Sequence, residues 1–230
     1  MSALVSCIIP ACNAERFVRE AVASVLSQSH RPLEVIVVDD GSTDGTAAAV
    51  AEFGDVIRCI PQLNQGPPAA RNHGISKARG ELIAFLDADD RWHPEKLARQ
   101  AALFDARPDL DCCLTHVTMF WSDALGDEET RYRHDGRADG PGWAGSTMMA
   151  RRRAFEAVGT FDPTLRHSAT VDWFARAGER GAVVETLPEL LAYRRMHRAN
   201  MSRLERQDSQ EEMLNLVGRT LRRKRTERPA

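Results

Sequence analysis

The sequence predicts an α/β fold, a mainly parallel sheet flanked by helices. Short apolar runs rich in β-branched residues alternate with segments whose apolar residues recur at helical spacing, the pattern of strand–helix–strand units. Polar or acidic clusters follow directly after three of the apolar runs. Open sheets of this class bind ligands there, beyond the carboxyl ends of their strands. The length, 230 residues, suits one such domain with a continuous core.

The first apolar run, residues 5–9, is closed by Pro10 and reads as a buried strand. Asn13 offers an N-cap for a helix over 14–28, where Phe17, Val18, Ala21, Val22, Val25 and Leu26 share one face. Residues 33–38 read as a second strand, leading into Asp39-Asp40-Gly41-Ser42 and a helix over 46–52. A third strand is expected at 56–60, a helix at 67–78 and a fourth strand at 82–86. Asp90 could cap the helix that Pro94 opens. The second half predicts a strand at 112–120, a polar loop or lid at 121–142 and a strand at 146–150. Helices at 151–158 and 170–180, short strands at 183–187 and 190–193, and a terminal helix at 205–225 complete the reading.

A formal net charge of −2 gives no bulk attraction to nucleic acid. The N-terminus lacks a basic leader, and no stretch approaches the ~18 apolar residues of a membrane span, so a cytoplasmic protein is expected. Five cysteines, with no CxxC pair, support neither zinc nor a disulfide framework. Cys7, Cys59, Cys112 and Cys113 lie in apolar runs and read as small buried hydrophobes of a reducing compartment.

The chemistry concentrates in Leu82-Ile83-Ala84-Phe85-Leu86-Asp87-Ala88-Asp89-Asp90, an apolar run ending in three carboxylates. Carboxylates brought together and partly desolvated need a partner, and a hard divalent cation such as Mg²⁺ or Mn²⁺ is the usual one. In extended backbone Asp87 and Asp89 would project to one side. The plainer alternative is a solvated acidic turn.

Four pieces stand in fixed order: Ile8-Ile9-Pro10-Ala11-Cys12-Asn13, Val37-Val38-Asp39-Asp40-Gly41-Ser42-Thr43-Asp44, Asn64-Gln65-Gly66-Pro67-Pro68-Ala69-Ala70-Arg71-Asn72 and Phe85-Leu86-Asp87-Ala88-Asp89-Asp90. Together they resemble family 2 glycosyltransferases, whose fold is called GT-A. Shorter pieces continue the likeness: Gly145-Ser146, Gly159-Thr160-Phe161-Asp162, Val171-Asp172-Trp173 and Tyr193-Arg194-Arg195-Met196-His197.

The resemblance implies residue roles. Asp39 or Asp40 would accept the imide N–H of a uracil-like base, and Pro10, Ala11 and Asn13 would line the base and ribose pocket. Arg71 would pair with the nucleotide or its diphosphate. Asp87 matches the family carboxylate near the ribose, and Ala88 lies between it and Asp89, which with His197 would hold Mn²⁺ or Mg²⁺. Asp172 falls where the family places the general base of an inverting transfer, although Val171 stands where the family often has an acid. Trp92, Trp143 and Trp173 could offer platforms for sugar rings.

The implied organisation is one GT-A domain over 1–204, with a nucleotide-binding half over 1–97 and an acceptor half over 98–204. Residues 205–230 form a C-terminal helix and basic tail, in which Arg222, Arg223, Lys224 and Arg225 could hold the protein peripherally on an anionic membrane. The implied donor is a nucleotide-diphospho-sugar, foremost a UDP-sugar. Saccharides, lipid-linked saccharides, peptides and small molecules remain open as acceptors. A nucleotide-sugar-binding module without catalysis is the alternative. A nucleotidyltransferase would need a Gly-rich basic loop after the first strand, and Pro10-Ala11-Cys12-Asn13 is not one.

Overall fold

The computed structural model describes residues 2–122, 126–142 and 145–226. Nine strands form one sheet in the order β3-β2-β1-β4-β8-β6-β9-β5, with β7 added beside β6. The first half supplies β1 (Val5–Ala11), β2 (Leu33–Asp40), β3 (Arg58–Gln62) and β4 (Leu82–Phe85), all paired in parallel. Helices α1 (Val18–Leu26), α2 (Thr46–Ala51) and α3 (Pro67–Lys77) make the crossovers that parallel pairing requires. The second half joins antiparallel: β8 (Met149–Arg151) pairs with β4 and with β6 (Cys112–Trp121). The long β9 (Val184–Met196) then runs parallel to β6 and antiparallel to β5 (Arg91–Trp92). The fold is the expected helix-flanked, mostly parallel sheet.

Alternation along the strands builds two cores. Val5, Cys7, Ile9, Val35 and Val37 face one side and pack with α1, α2 and α4 (Lys96–Ala106). Ile8, Ile36, Val38, Ile83 and Phe85 face the other, packing with α3, α6 (Arg152–Val158) and α7 (Ala169–Glu179). The terminal helix α9 (Arg206–Thr226) joins that second core through Leu216.

Several expectations need correction. Helix α1 starts at Val18, with Phe17 as its N-cap. Asn13 does not cap it: its backbone is left-handed (φ 49°), and the chain turns at Ala14 before the helix begins. Asp90 caps nothing either, because Glu95 precedes α4 and Asp90 is buried elsewhere. The third strand comes two residues later than expected, after a 3₁₀ turn at Gly54–Val56. The strand expected at 146–150 is a 3₁₀ turn, Gly145–Thr147, followed by β8.

The polar stretch 121–142 is not one loop. It contains α5 (Gly126–His134) and β7 (Asp139–Pro141), with acids in the first turn of α5 and bases in the last, as the helix dipole favours. The two short strands near 183–193 are one strand, β9, whose register with β6 jumps around His116. Cys7, Cys112 and Cys113 are buried, but Cys59 is exposed because β3 is an edge strand. Trp92 and Trp173 are core residues whose indole N–H groups donate to the Ser146 and Gly159 carbonyls, so neither is a sugar platform. Trp143 lies outside the described residues.

Candidate active site

The sheet register sets the carboxyl ends of β1, β2 and β4 side by side. Ala11 pairs with Asp39, and Ile8 pairs with Phe85, two residues before Asp87. The loops after these three strands therefore rim one crevice, the position that open parallel sheets use for ligands.

On the β1–β2 side, Asn13 Oδ1 accepts the Thr43 N–H at 2.8 Å, and the Asn13 N–H donates to Ser42 Oγ at 3.0 Å. These bonds explain the left-handed Asn13: the residue ties two loops together. Pro10 is half-buried and Ala11 fully buried in the strand beneath them.

Asp39 and Asp40 do different work. Asp40 is buried and accepts from Gln62 Nε2 (2.7 Å), Gln65 N (2.9 Å) and Gly66 N (2.8 Å). Its carboxylate is fully engaged in holding the loop that leads into α3. Asp39 accepts one such bond, from Ser42 N at 3.0 Å through Oδ1. Gly41 has φ +72°, and a side chain there would meet the Asn64 backbone nitrogen at 2.8 Å, so glycine is required between the two loops.

On the β4 side, Asp87–Asp90 is a turn, closed by Asp90 N–H to Asp87 C=O at 3.0 Å, rather than extended backbone. The carboxylates consequently diverge to separate partners. Asp87 pairs with Arg71 Nη2 at 2.6 Å. Arg71 is buried, and its Nε has no hydrogen-bond partner among the described residues. A buried guanidinium with an unmet donor is suited to an anion entering the crevice. Asp89 Oδ2 lies 3.0 Å from His197 Nε2 and 3.2 Å from Asn200 Nδ2. Ala88, between the two acids, is buried.

Asp90 is the acid that faces inward. Its oxygens accept Ser146 Oγ–H at 2.7 Å and Arg195 N–H at 2.9 Å. Burial, reinforced by the neighbouring Asp89 and Asp87 charges, raises its pKa well above the ordinary carboxylate range. Ser146 also accepts the Asp87 N–H at 3.1 Å, so one hydroxyl braces both ends of the turn.

Sequence reasoning missed much of this support. Arg195 is stacked between Phe17 and Phe120, donates to the Asp89 carbonyl at 2.9 Å and pairs with Glu20 at 2.7 Å. Asn200 orients the Asp89 carboxylate and accepts the His197 N–H at 2.6 Å. Arg195 lies within the Tyr193–His197 motif and Asn200 three residues beyond it, which was the signal available. Lys96 gave no signal: it is wholly buried, 2.7 Å from Gln100 Oε1 and 4.2 Å from the Trp92 ring centroid. Burial lowers its pKa to about 7.

Asp172 sits in the first turn of α7, buried, with Oδ2 2.7 Å from Arg176 Nε. Arg176 is anchored in turn on the Val158 and Thr160 carbonyls.

Residues 6–159, more than half of the chain, match the model of glycosyl transferase family 2. The chain is a family 2 glycosyltransferase. An uncharacterized glycosyltransferase of Nostoc sp. is 33% identical over 221 residues, covering 85% of this chain and 66% of the relative. A candidate teichuronic acid biosynthesis glycosyltransferase of Bacillus subtilis, TuaG, is 42% identical over 101 residues, covering 42% of this chain and 40% of the relative. The chain thus spans only part of the length of these relatives. Among solved structures, the mannosyltransferase PcManGT of Pyrobaculum calidifontis, in complex with GDP-Man and Mn²⁺, superposes with a TM-score of 0.75 at 21% identity, covering 96% of this chain and 65% of that one. S. aureus TarS with UDP-GlcNAc gives 0.73 at 21% identity, covering 92% and 65%. At that identity the likeness establishes the GT-A fold of this glycosyltransferase.

Among the described residues no group of three or more His, Cys, Asp or Glu converges as a metal cage. The Asp89 oxygen and His197 nitrogen nevertheless meet at 3.0 Å, a donor pair that suits Mn²⁺ or Mg²⁺ when a diphosphate supplies further oxygens.

Proposed function

We propose that this family 2 enzyme is a metal-dependent, inverting transferase that moves a sugar from a nucleotide-diphospho-sugar, foremost a UDP-sugar, to an acceptor hydroxyl. The observation that carries the reading is the pairing of Arg71 with Asp87 beside the Asp89–His197 pair, at the rim of three parallel strands. Asp39, the less committed of the two acids after β2, accepts the base imide N–H, while Asp40 holds the loop. Pro10, Ala11 and Asn13 line the base and ribose side, and Asp87 and Ala88 the ribose and diphosphate side. Arg71 pairs with the diphosphate.

Asp89 and His197 would hold the cation, with Asn200 fixing the carboxylate's orientation. Mn²⁺ or Mg²⁺ held there would supply positive charge against the leaving nucleoside diphosphate. Asp172 takes the proton of the acceptor hydroxyl as its oxygen bonds the anomeric carbon and the bond to the diphosphate breaks. Attack opposite the leaving group inverts that carbon.

A non-catalytic nucleotide-sugar-binding module is the second reading. Val171 and the buried Asp172–Arg176 pair favour it, and turnover separates the two: a wild-type chain that binds UDP-sugar with Mn²⁺ yet releases no UDP is such a module, whereas unchanged transfer in Asp172→Asn removes only that residue from the chemistry.

We also assign an anionic membrane as the partner of α9. Leu214 (73% exposed) and Val217 (49% exposed) lie on one stripe of the helix, opposite the buried Leu216, and the Arg222–Arg225 run follows in sequence. No helix among the described residues is long and apolar enough to cross a membrane.

Thermal shifts with UDP plus Mn²⁺ against UDP plus EDTA test the donor reading. At about 100-fold excess over Kd, a native-state ligand adds roughly 2.7 kcal/mol of stability. The Mn²⁺ arm should shift more, Asp89→Ala should erase the difference, and Asp39→Asn should weaken both arms. Equal shifts with and without metal would count against the metal-held diphosphate.

A further inference from the structure

The N-terminus of α7 has an unusual cap. Ser168 occupies the N-cap position, yet its hydroxyl makes no bond to the helix's own N–H groups. It donates instead to Glu212 of α9, at 2.6 Å. The same carboxylate accepts the backbone N–H groups of Arg166 (2.8 Å), His167 (2.9 Å) and Ser168 (2.6 Å). Four donors therefore converge on one side chain delivered from 44 residues downstream. Burial pushes the Glu212 carboxyl up, but the bonds from Ser168, His167 and Arg166 outweigh it and hold the group below its ordinary range.

Two further contacts make α9 a clamp. Glu205, just before α9, pairs with Arg166 Nε at 2.9 Å. Leu216, one turn past Glu212, is buried in the core cluster that includes Ala169 and Trp173 of α7. A negative charge at a helix N-terminus also complements the helix dipole. Asp172 lies four residues beyond Ser168, its N–H bonded to the Ser168 carbonyl at 2.9 Å. The first turn of α7 is thus fixed at its open end by α9, and Asp172 is fixed with it.

We infer that Glu212 is a positioning residue for transfer: from α9, outside the stretch matched by the family model, it sets the place of the Asp172 carboxylate. The inference rests on the reading of Asp172 as the base. Donor and metal are held at the strand ends by other residues, so the loss of Glu212 should divide the two functions. Productive proton transfer demands placement within fractions of an ångström, whereas donor binding at Asp39, Arg71 and Asp89 does not pass through α7.

The test uses the full chain with water as acceptor: UDP release from the UDP-sugar that gives the largest Mn²⁺-dependent thermal shift. In that reaction a water oxygen bonds the anomeric carbon, the carbon–diphosphate bond breaks, and Asp172 takes the water's proton. Glu212→Ala and Glu212→Gln should lower kcat at least 10-fold while the Kd of UDP with Mn²⁺ stays within 2-fold. Glu212→Asp should recover part of the rate. In an Asp172→Asn background, Glu212→Gln should cost nothing more, because both changes act through one group. Losses that multiply, or UDP affinity that falls in parallel with kcat, would overturn the inference. Glu212→Gln, nearly isosteric, carries the test if Glu212→Ala fails to melt cooperatively. Wild-type rates in the Glu212 variants with a slow Asp172→Asn sink the positioning role alone. A wild-type rate in Asp172→Asn sinks the base assignment beneath it.

Discussion

At the residue scale, the site depends on side chains whose sequence context gives no hint of their burial. Lys96 follows Pro94 and Glu95 at a helix start, where a lysine is ordinarily solvated, yet it lies wholly inside the sheet–helix core. Its ammonium reaches Gln100, whose amide donates to the Cys113 and Thr147 carbonyls, and Thr147 ends the 3₁₀ turn that carries Ser146. Burial first lowers its pKa, from 10.5 to about 7, so the folded chain releases a proton that the unfolded chain keeps between those values. The unfolded state then binds more protons, and stability contributed at this site rises with pH. The penalty is full below about pH 7 and is relieved as pH climbs towards 10.5. Against Lys96→Met, the wild type should therefore gain up to roughly 1.4 kcal/mol per pH unit between pH 7 and 9. Cys7, Cys112 and Cys113 surround it, and their unfolded-state titration is common to both proteins and cancels in the comparison. Parallel stability curves for the two proteins would show that Lys96 does not titrate in this window. The acids Asp39 and Asp40 teach the same lesson. They are identical in the sequence, but only the surrounding loop reveals that Asp40 is spent on the backbone of Gln65 and Gly66.

At the element scale, the first half was legible because its signals are local. Buried parallel strands must be continuous apolar runs, and β1, β2 and β4 are. The second half was less legible because its geometry comes from tertiary pairing: β9 crosses Pro188 and Glu189 with a register jump, and α5 is almost wholly polar. The approach of α3 to the sheet shows how closely such elements can fit. Gly74 faces β1, and a methyl group there would fall 2.3 Å from Ile8 Cγ2. Alanine would gain about 1 kcal/mol of helix propensity. Overpacking at so short a distance costs roughly 1–3 kcal/mol, and here the clash wins because Ile8 is itself fully buried. Gly74→Ala should lower the urea midpoint and, because α3 carries Arg71, loosen the Arg71–Asp87 pair and weaken UDP binding. An unchanged midpoint would mean that helix and sheet separate at little cost.

At the scale of the whole molecule, the candidate site and the fold were read from one pattern, acids and an asparagine placed at strand ends, while the bracing around them was not. Asn200, Arg195 and Ser146 reach the Asp87–Asp90 turn from β8–β9 territory distant in sequence, and only folding brings them there. The same distance in sequence separates the two faces of α9. Its inner face grips α7 through Glu212 and the core through Leu216, whereas its outer stripe of Leu214 and Val217 is exposed. A net charge of −2 for the whole chain makes the succession Arg222, Arg223, Lys224, Arg225 a local departure rather than part of a basic surface. Each basic residue near an anionic bilayer contributes about 1 kcal/mol, and the apolar stripe beside the run adds burial in the headgroup region. Cosedimentation with liposomes should accordingly rise with the fraction of anionic lipid and fall as salt is raised. Truncation after Val217 should abolish it while leaving Glu212, Leu216 and the donor-dependent thermal shift in place. Binding that is indifferent to lipid charge, or that survives the truncation, would remove the membrane as the partner of α9. A water-soluble saccharide, peptide or small molecule would then become the acceptor to seek.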